Sequence, residues 1–177
     1  MIRVVTAAMV LSLMLKLEPN GPHFNSYGEI SEAIALASCN DPLFPNRPDG
    51  AERTAAILTA LAWHESRFHP NIIGDQGRSF GLWQIQPPTA KIDASLLLLP
   101  RNAAFIAIDL IRQSMMHCRA RPWGERLSWY AASASCDPPN PKVIHQSLLR
   151  MQTADKLYKQ MREANGAHPL LLAPGTP

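Results

Sequence analysis

Along this chain the apolar positions recur mostly at three- and four-residue spacing, the period of a helix that buries one face. The stretch Asp49-Gly-Ala-Glu-Arg-Thr-Ala-Ala-Ile-Leu-Thr-Ala-Leu-Ala-Trp has this spacing, and Leu58, Leu61, Glu65 and Phe68 fall on one stripe. A helix over about 51–68 is predicted, with Asp49 as its N-cap. A second helix is predicted over 102–118, carrying Phe105, Ile106, Ile108, Leu110 and Ile111 and capped by Asn102 within Pro100-Arg101-Asn102. A third, over 146–162, mixes Leu148, Leu149, Met151, Leu157, Tyr158 and Met161 with charges and is predicted to pack at the periphery. Strand-like alternation is scarce and no internal repeat is visible. The expected architecture is therefore mainly α, and 177 residues suit a single domain that buries roughly two thirds of its unfolded surface.

The ends of the chain read differently from its middle. Val4 to Leu15 is apolar apart from Thr6 and Ser12, with Arg3 before it and Lys16 after it. That charge and length suit an export signal or a short anchor over 1–20, and the segment is too short to span a bilayer comfortably. A helix packed on the domain is the alternative, since no clear small-x-small cleavage site precedes Pro19. The main domain is expected over 25–165, followed by an irregular, proline-bearing tail over 166–177.

Glu65 is the position where pattern and chemistry conflict, because a carboxylate stands where the stripe calls for an apolar residue. Apolar surroundings disfavour the charged form, so its pKa is expected to rise toward the range of a general acid near neutral pH. The alternative is a glutamate at a frayed helix end, turned outward or paired with Arg67 or Arg78. Gly74-Asp75-Gln76-Gly77-Arg78-Ser79-Phe80-Gly81 follows, with three glycines in eight positions, which suits a loop needing positive φ or close backbone approach. In Leu82-Trp83-Gln84-Ile85, Trp83 can offer a flat face to a sugar ring or serve as core. Gln84 can bond a ligand's hydroxyl or amide groups or sit on the surface.

Charge narrows the field only slightly. A formal net charge of +3, from twelve arginines, five lysines and fourteen acids, is compatible with an acidic polymer but too small to imply nucleic acid. His64-Glu65 with His69 approaches the zinc-protease pattern H-E-x-x-H, but the second histidine is five residues on. At about 100° per residue the two rings point some 140° apart, so they cannot share a zinc ion on one helical face. No metal and no cofactor is expected.

Glu65-Ser66-Arg67-Phe68, then Gly81-Leu82-Trp83-Gln84-Ile85-Gln86-Pro87 and Thr89-Ala90, resemble the signature of the soluble-type lytic transglycosylases: E-S-x-F, G-L-M-Q-I-x-P, T-A. The glycine-rich segment leading into Gln84 is also similar to goose-type lysozyme. The resemblance covers roughly residues 50–135 and implies a lysozyme-like single domain with a substrate cleft. On it Glu65 takes the place of the general acid and Asp75 that of an acid positioning water. Ser66, Gly81, Trp83 and Gln84 take substrate-binding places, as does Tyr130 in Trp129-Tyr130-Ala131-Ala132-Ser133, a degraded copy of Y-N-A-G. Gln86 stands where the goose-type enzymes carry a further acid.

What the resemblance implies is cleavage of the β-1,4 bond between N-acetylmuramic acid and N-acetylglucosamine in peptidoglycan, with a 1,6-anhydro product and Glu65 as acid, then base. Hydrolysis with water positioned by Asp75 is one alternative, and a non-catalytic glycan-binding or structural protein of an envelope or phage particle is another. The partner implied is the glycan strand, met by a monomer exported to the periplasm or envelope, with membrane association possible through the N-terminal segment and no nucleic acid involved.

Three cysteines suit an oxidising compartment. Cys118 and Cys136 flank the Tyr130 segment, and a disulfide between them is the preferred pairing, worth ~3 kcal/mol on the chain-entropy account. Cys39 then stays free. Leu36-Ala37-Ser38-Cys39 matches a lipoprotein box only superficially, being far from the charged start.

Overall fold

The computed structural model describes residues 4–131, 135–137, 140–164 and 166. Among these there are eight α-helices: α1 Ala7–Leu17, α2 Tyr27–Asn40, α3 Gly50–Ser66, α4 Pro87–Ala90, α5 Ala94–Leu97, α6 Pro100–His117, α7 Ser128–Ala131 and α8 Pro141–Ala164. Two short antiparallel strands, β1 Ile73–Gly74 and β2 Ser79–Phe80, pair Ile73 with Phe80 and Gly74 with Ser79. The fold is mainly α, as the spacing predicts. The tail expected over 166–177 lies, apart from Gly166, outside the described residues.

The centre of the fold is α3. Instead of one apolar stripe it has an unbroken buried run from Thr54 to Ala62. A helix apolar all round must be covered all round, and α1, α2, α6 and α8 supply the cover. Its hydroxyls stay satisfied inside: Thr54 Oγ1 donates to Gly50 O at 2.7 Å and Thr59 Oγ1 to Ala55 O at 2.8 Å. Asp49 occupies the N-cap position, but its side chain caps nothing. Its carboxylate instead accepts from Arg47 (3.0 Å), Arg53 (2.7 Å) and Tyr158 (2.6 Å), tying the start of α3 to α8. Burial works against that charge, yet the three hydrogen bonds prevail and hold the carboxyl well below the usual range.

Three further differences from the sequence reading have simple causes. Asn102 is not the N-cap of α6, because Pro100 takes the first helical position and leaves the cap to Leu99; Asn102 sits exposed in the first turn. The helix expected at the periphery, α8, packs along α3, with Ser147, Arg150, Met151, Ala154, Leu157 and Met161 buried. Ser147, Arg150, Ala154, Leu157 and Met161 keep helical spacing, so polar Ser147 and Arg150 disguise part of the core stripe. Phe68 is fully buried as its place on the stripe predicts, but it lies beyond the helix: Arg67 and Phe68 both have positive φ (53° and 59°). The chain reverses there, with Phe68 N–H donating to Ala62 O at 3.4 Å, and the ring turns inward to meet Tyr27 edge-on at 5.3 Å.

The apolar N-terminal segment forms α1, whose Val10, Leu13 and Met14 are buried against α2 and α3. Two bonds tie its end to the core. Tyr27 Oη donates to Glu18 O at 3.0 Å, and Trp63 Nε1 donates to Glu18 Oε2 at 3.1 Å. Among the described residues no helix is long and apolar enough to cross a membrane. Cys118 and Cys136 form a disulfide with Cα atoms 5.4 Å apart, and Cys39 is free.

Candidate active site

Glu65 stands in the last turn of α3, just before the left-handed reversal at Arg67 and Phe68. Its side chain is 16% exposed, and Oε1 forms an ion pair with Arg150 Nη2 of α8 at 2.6 Å. Burial raises its pKa; the Arg150 guanidinium opposes that, and the negative charge of Asp75 adds to it. Desolvation wins the contest, so the proton is held more tightly than by an ordinary glutamate.

Around this carboxyl lies a pocket of about 120 Å³. Glu65 comes from α3, Asp75 and Ser79 from the hairpin, Gln84 and Gln86 from the turn after it, Trp129 and Tyr130 from α7, and Arg150 from α8. The hairpin is held in an unusual backbone path, with positive φ at Asp75 (49°), Gln76 (58°) and Gly77 (88°). Ser79 Oγ donates to Asp75 Oδ2 at 2.5 Å and anchors the carboxylate, while Arg78 Nε donates to Asp75 O at 3.0 Å. Asp75 itself is exposed at the rim.

Tyr130 closes the opposite side. Its hydroxyl donates to Trp83 O at 2.5 Å, and its backbone N–H donates to Ser114 Oγ at 3.0 Å. Burial, with the Glu65 charge adding and Arg150 opposing, pushes the phenol well above its usual pKa. Tyr130 therefore stays a neutral donor beside Glu65 throughout the physiological range.

The other residues singled out in the sequence have more structural surroundings. Trp83 is completely buried and its Nε1 donates to Leu58 O at 3.0 Å, so the indole presents no open face to a sugar. What it offers the site is its carbonyl, which receives the Tyr130 hydroxyl. Gln84 lines the pocket with φ of 46°, and its amide nitrogen donates to Gly81 O at 2.9 Å, bracing the turn. Gly81 has φ of 70°, and a Cβ there would collide with the carbonyl oxygen of Leu97; the close backbone approach is to the protein itself. Ser66 is buried, with its hydroxyl donated to Ala62 O at 2.9 Å, and neither it nor Gly81 lines the pocket. Thus Glu65, Asp75, Trp83, Gln84 and Tyr130 are brought together, while Ser66 and Gly81 shape the backbone nearby.

Arg150 and Trp129 are pocket residues that the sequence pattern does not single out. Arg150 was detectable by the argument used for Glu65, a charge on an apolar stripe, but the charge-rich sequence of α8 concealed it. Trp129 stands next to Tyr130 in the sequence; it is half-buried at the pocket, with its ring stacked on His117 at 5.2 Å. The rings of His64 and His69 engage separate partners. His64 Nε2 pairs with Thr153 Oγ1 at 2.9 Å, and His69 stacks on His23 at 3.8 Å. Among the described residues no group of three or more His, Cys, Asp or Glu side chains is placed to hold a metal ion.

Compared with known protein families, residues 48–136 match the transglycosylase SLT domain, a segment that contains α3, the hairpin, α6 and α7. No curated protein and no solved structure matches the chain.

Proposed function

Because the chain belongs to the transglycosylase SLT domain family, we propose that it is a lytic transglycosylase cleaving the β-1,4 bond between N-acetylmuramic acid and N-acetylglucosamine of peptidoglycan, with Glu65 as the acid and then the base. The family membership by itself carries the coarser statement: the function is of the lytic-transglycosylase type and its substrate is peptidoglycan, which implies an envelope or extracellular location. The glycan strand would enter a cleft over the pocket that Glu65 shares with Tyr130 and Arg150.

Two proton transfers complete the reaction. Glu65 gives its proton to the glycosidic oxygen as the C1–O bond breaks, releasing the N-acetylglucosamine hydroxyl and leaving positive charge at C1 of the muramic acid. The C6 hydroxyl of that same sugar bonds to C1 and passes its proton to the Glu65 carboxylate. The result is a 1,6-anhydro ring and a Glu65 ready for the next turnover, with no water consumed. One observation carries this reading: a carboxyl withdrawn from solvent at the end of α3, its proton affinity raised by burial, facing a pocket.

A second reading rests on Asp75. It lines the same pocket and is anchored by Ser79, so it can orient a water molecule for attack at C1. Gln86, a neutral residue in that pocket, supplies no second carboxylate for the task. Mass spectrometry of digested muropeptides separates the two: anhydro ends are expected, and reducing ends throughout would refute the transglycosylase reading in favour of hydrolysis.

A further inference from the structure

Arg150 is a buried cation whose one ionic partner among the described residues is Glu65. Its side chain is 10% exposed, Nη2 meets Glu65 Oε1 at 2.6 Å, and Nη1 is buried with no hydrogen-bond partner among the described residues. A guanidinium desolvated with half its fork unsatisfied is costly to keep, and at such a place a structural role would be served as well by an apolar side chain. A charge there acts on other charges. An ion pair as close as 2.6 Å also suits Glu65 in its ionised form, the form it takes after it has given up its proton. The helix bearing Arg150 lies beyond the segment matched to the family, residues 48–136.

We propose that Arg150 is a positioning residue for the transglycosylase reaction: it receives the Glu65 carboxylate left by the acid step and holds it in place until it accepts the C6 hydroxyl proton. This rests on the reading of Glu65 as acid and base given above. The first step transfers the Glu65 proton to the leaving oxygen, and the resulting anion is matched by the guanidinium 2.6 Å away. The second returns a proton to the same oxygen pair, and Arg150 keeps its own protons throughout.

Among the described residues the groups facing Glu65 are few, which makes the effect separable. Arg150 comes from α8, Asp75 from the hairpin, Tyr130 from α7 and the apolar Leu110 from α6; on the chain segment of Glu65 itself the titratable neighbours are His64 and Arg67. Of these, Arg150 favours the charged form of Glu65 and Asp75 disfavours it. His64 senses the same guanidinium. Arg150 therefore makes Glu65 a stronger acid than the pocket alone would allow.

The test is the pH dependence of kcat and kcat/KM on purified peptidoglycan for wild type, Arg150→Met and Arg150→Lys, with carbon NMR titration of the Glu65 carboxyl in the same proteins. Arg150→Met should move the alkaline limb of the profile and the NMR midpoint up by about one pH unit or more, the usual effect of removing an adjacent opposite charge. It should lower kcat at the optimum by at least about tenfold and leave KM nearly unchanged. Arg150→Lys should restore part of both. An alkaline limb and NMR midpoint within about 0.3 units of wild type in folded Arg150→Met would overturn the proposal. Should that variant not fold, Arg150→Gln, which keeps a polar side chain without the charge, decides: a raised midpoint with lowered kcat supports the role, and wild-type midpoint and kcat overturn it. Failure of the parent reading looks different, as Glu65→Gln would then keep its activity whatever Arg150 does.

Discussion

The hydroxyl of Tyr130 donates to the carbonyl oxygen of Trp83 at 2.5 Å, across 47 positions of sequence. That bond fastens α7 to the turn after the hairpin, so the two sides of the Glu65 pocket keep one spacing. Trp83 is in turn fixed to α3 through Leu58 O, seven residues before Glu65. The three pieces of the site are thereby referred to one rigid helix.

Tyr130→Phe removes this tie and leaves a buried carbonyl unsatisfied, at a cost of about 1–3 kcal/mol. Both the thermal midpoint and turnover should fall, turnover by about tenfold or more, because small displacements of reacting groups are expensive. A variant with the wild-type midpoint and rate would show that the bond positions nothing.

The two pocket tryptophans should behave oppositely. Trp83→Ala empties a fully buried site and is expected to cost about 3–5 kcal/mol, seen as a large drop in the urea midpoint. Trp129→Ala, at a half-exposed ring propped on His117, should leave the midpoint close to wild type and weaken binding of chitooligosaccharide to the Glu65→Gln background. Equal affinity in that background would remove Trp129 from the sugar site.

His64 imposes a pH dependence on stability. Burial first, then Arg150 and Arg67, depress its pKa to about 4, so the folded protein holds it neutral. An unfolded histidine takes up its proton near about 6.5. The unfolded state therefore binds more protons as pH falls from about 6.5 toward about 4, and stability declines across that window. His64→Gln, which keeps a partner for Thr153, should flatten the fall in urea midpoint between those pH values. Parallel wild-type and variant curves would contradict the assignment.

Shortening the chain to begin after Leu17 tests whether α1 belongs to the working domain. Val10, Leu13 and Met14 are buried against α2 and α3, each worth about 1.5–3 kcal/mol. Loss of these contacts should abolish the cooperative transition or lower its midpoint severely. A shortened protein as stable as the full chain would mean that α1 is dispensable to the fold.

Much of this was legible in the order of residues, for physical reasons that differ by element. The helices α3 and α6 show themselves by spacing, and Glu65 stands out because a charge on an apolar stripe is an anomaly. The pairing of Cys118 with Cys136 followed from their places on either side of Tyr130. Other features depend on contacts that one stretch of sequence does not display. The Asp49 carboxylate is taken from capping by Arg47, Arg53 and Tyr158, the last more than a hundred positions away. Trp83 reads as core or as platform, with core slightly ahead, until Leu58 O is seen beside its indole. Arg150 does not show itself as part of the site until α8 is laid along α3, because the charges around it conceal its place on the apolar stripe.

The most direct test of the whole account is the release of soluble muropeptides from purified peptidoglycan by wild type and Glu65→Gln, measured side by side on proteins shown to be folded. Gln keeps the size of the side chain and can still face Arg150, but it has no proton to give. A fall of at least about 100-fold is predicted, the lower range of what a general acid contributes. Release at the wild-type rate by Glu65→Gln would contradict the claim that this carboxyl cleaves the glycan.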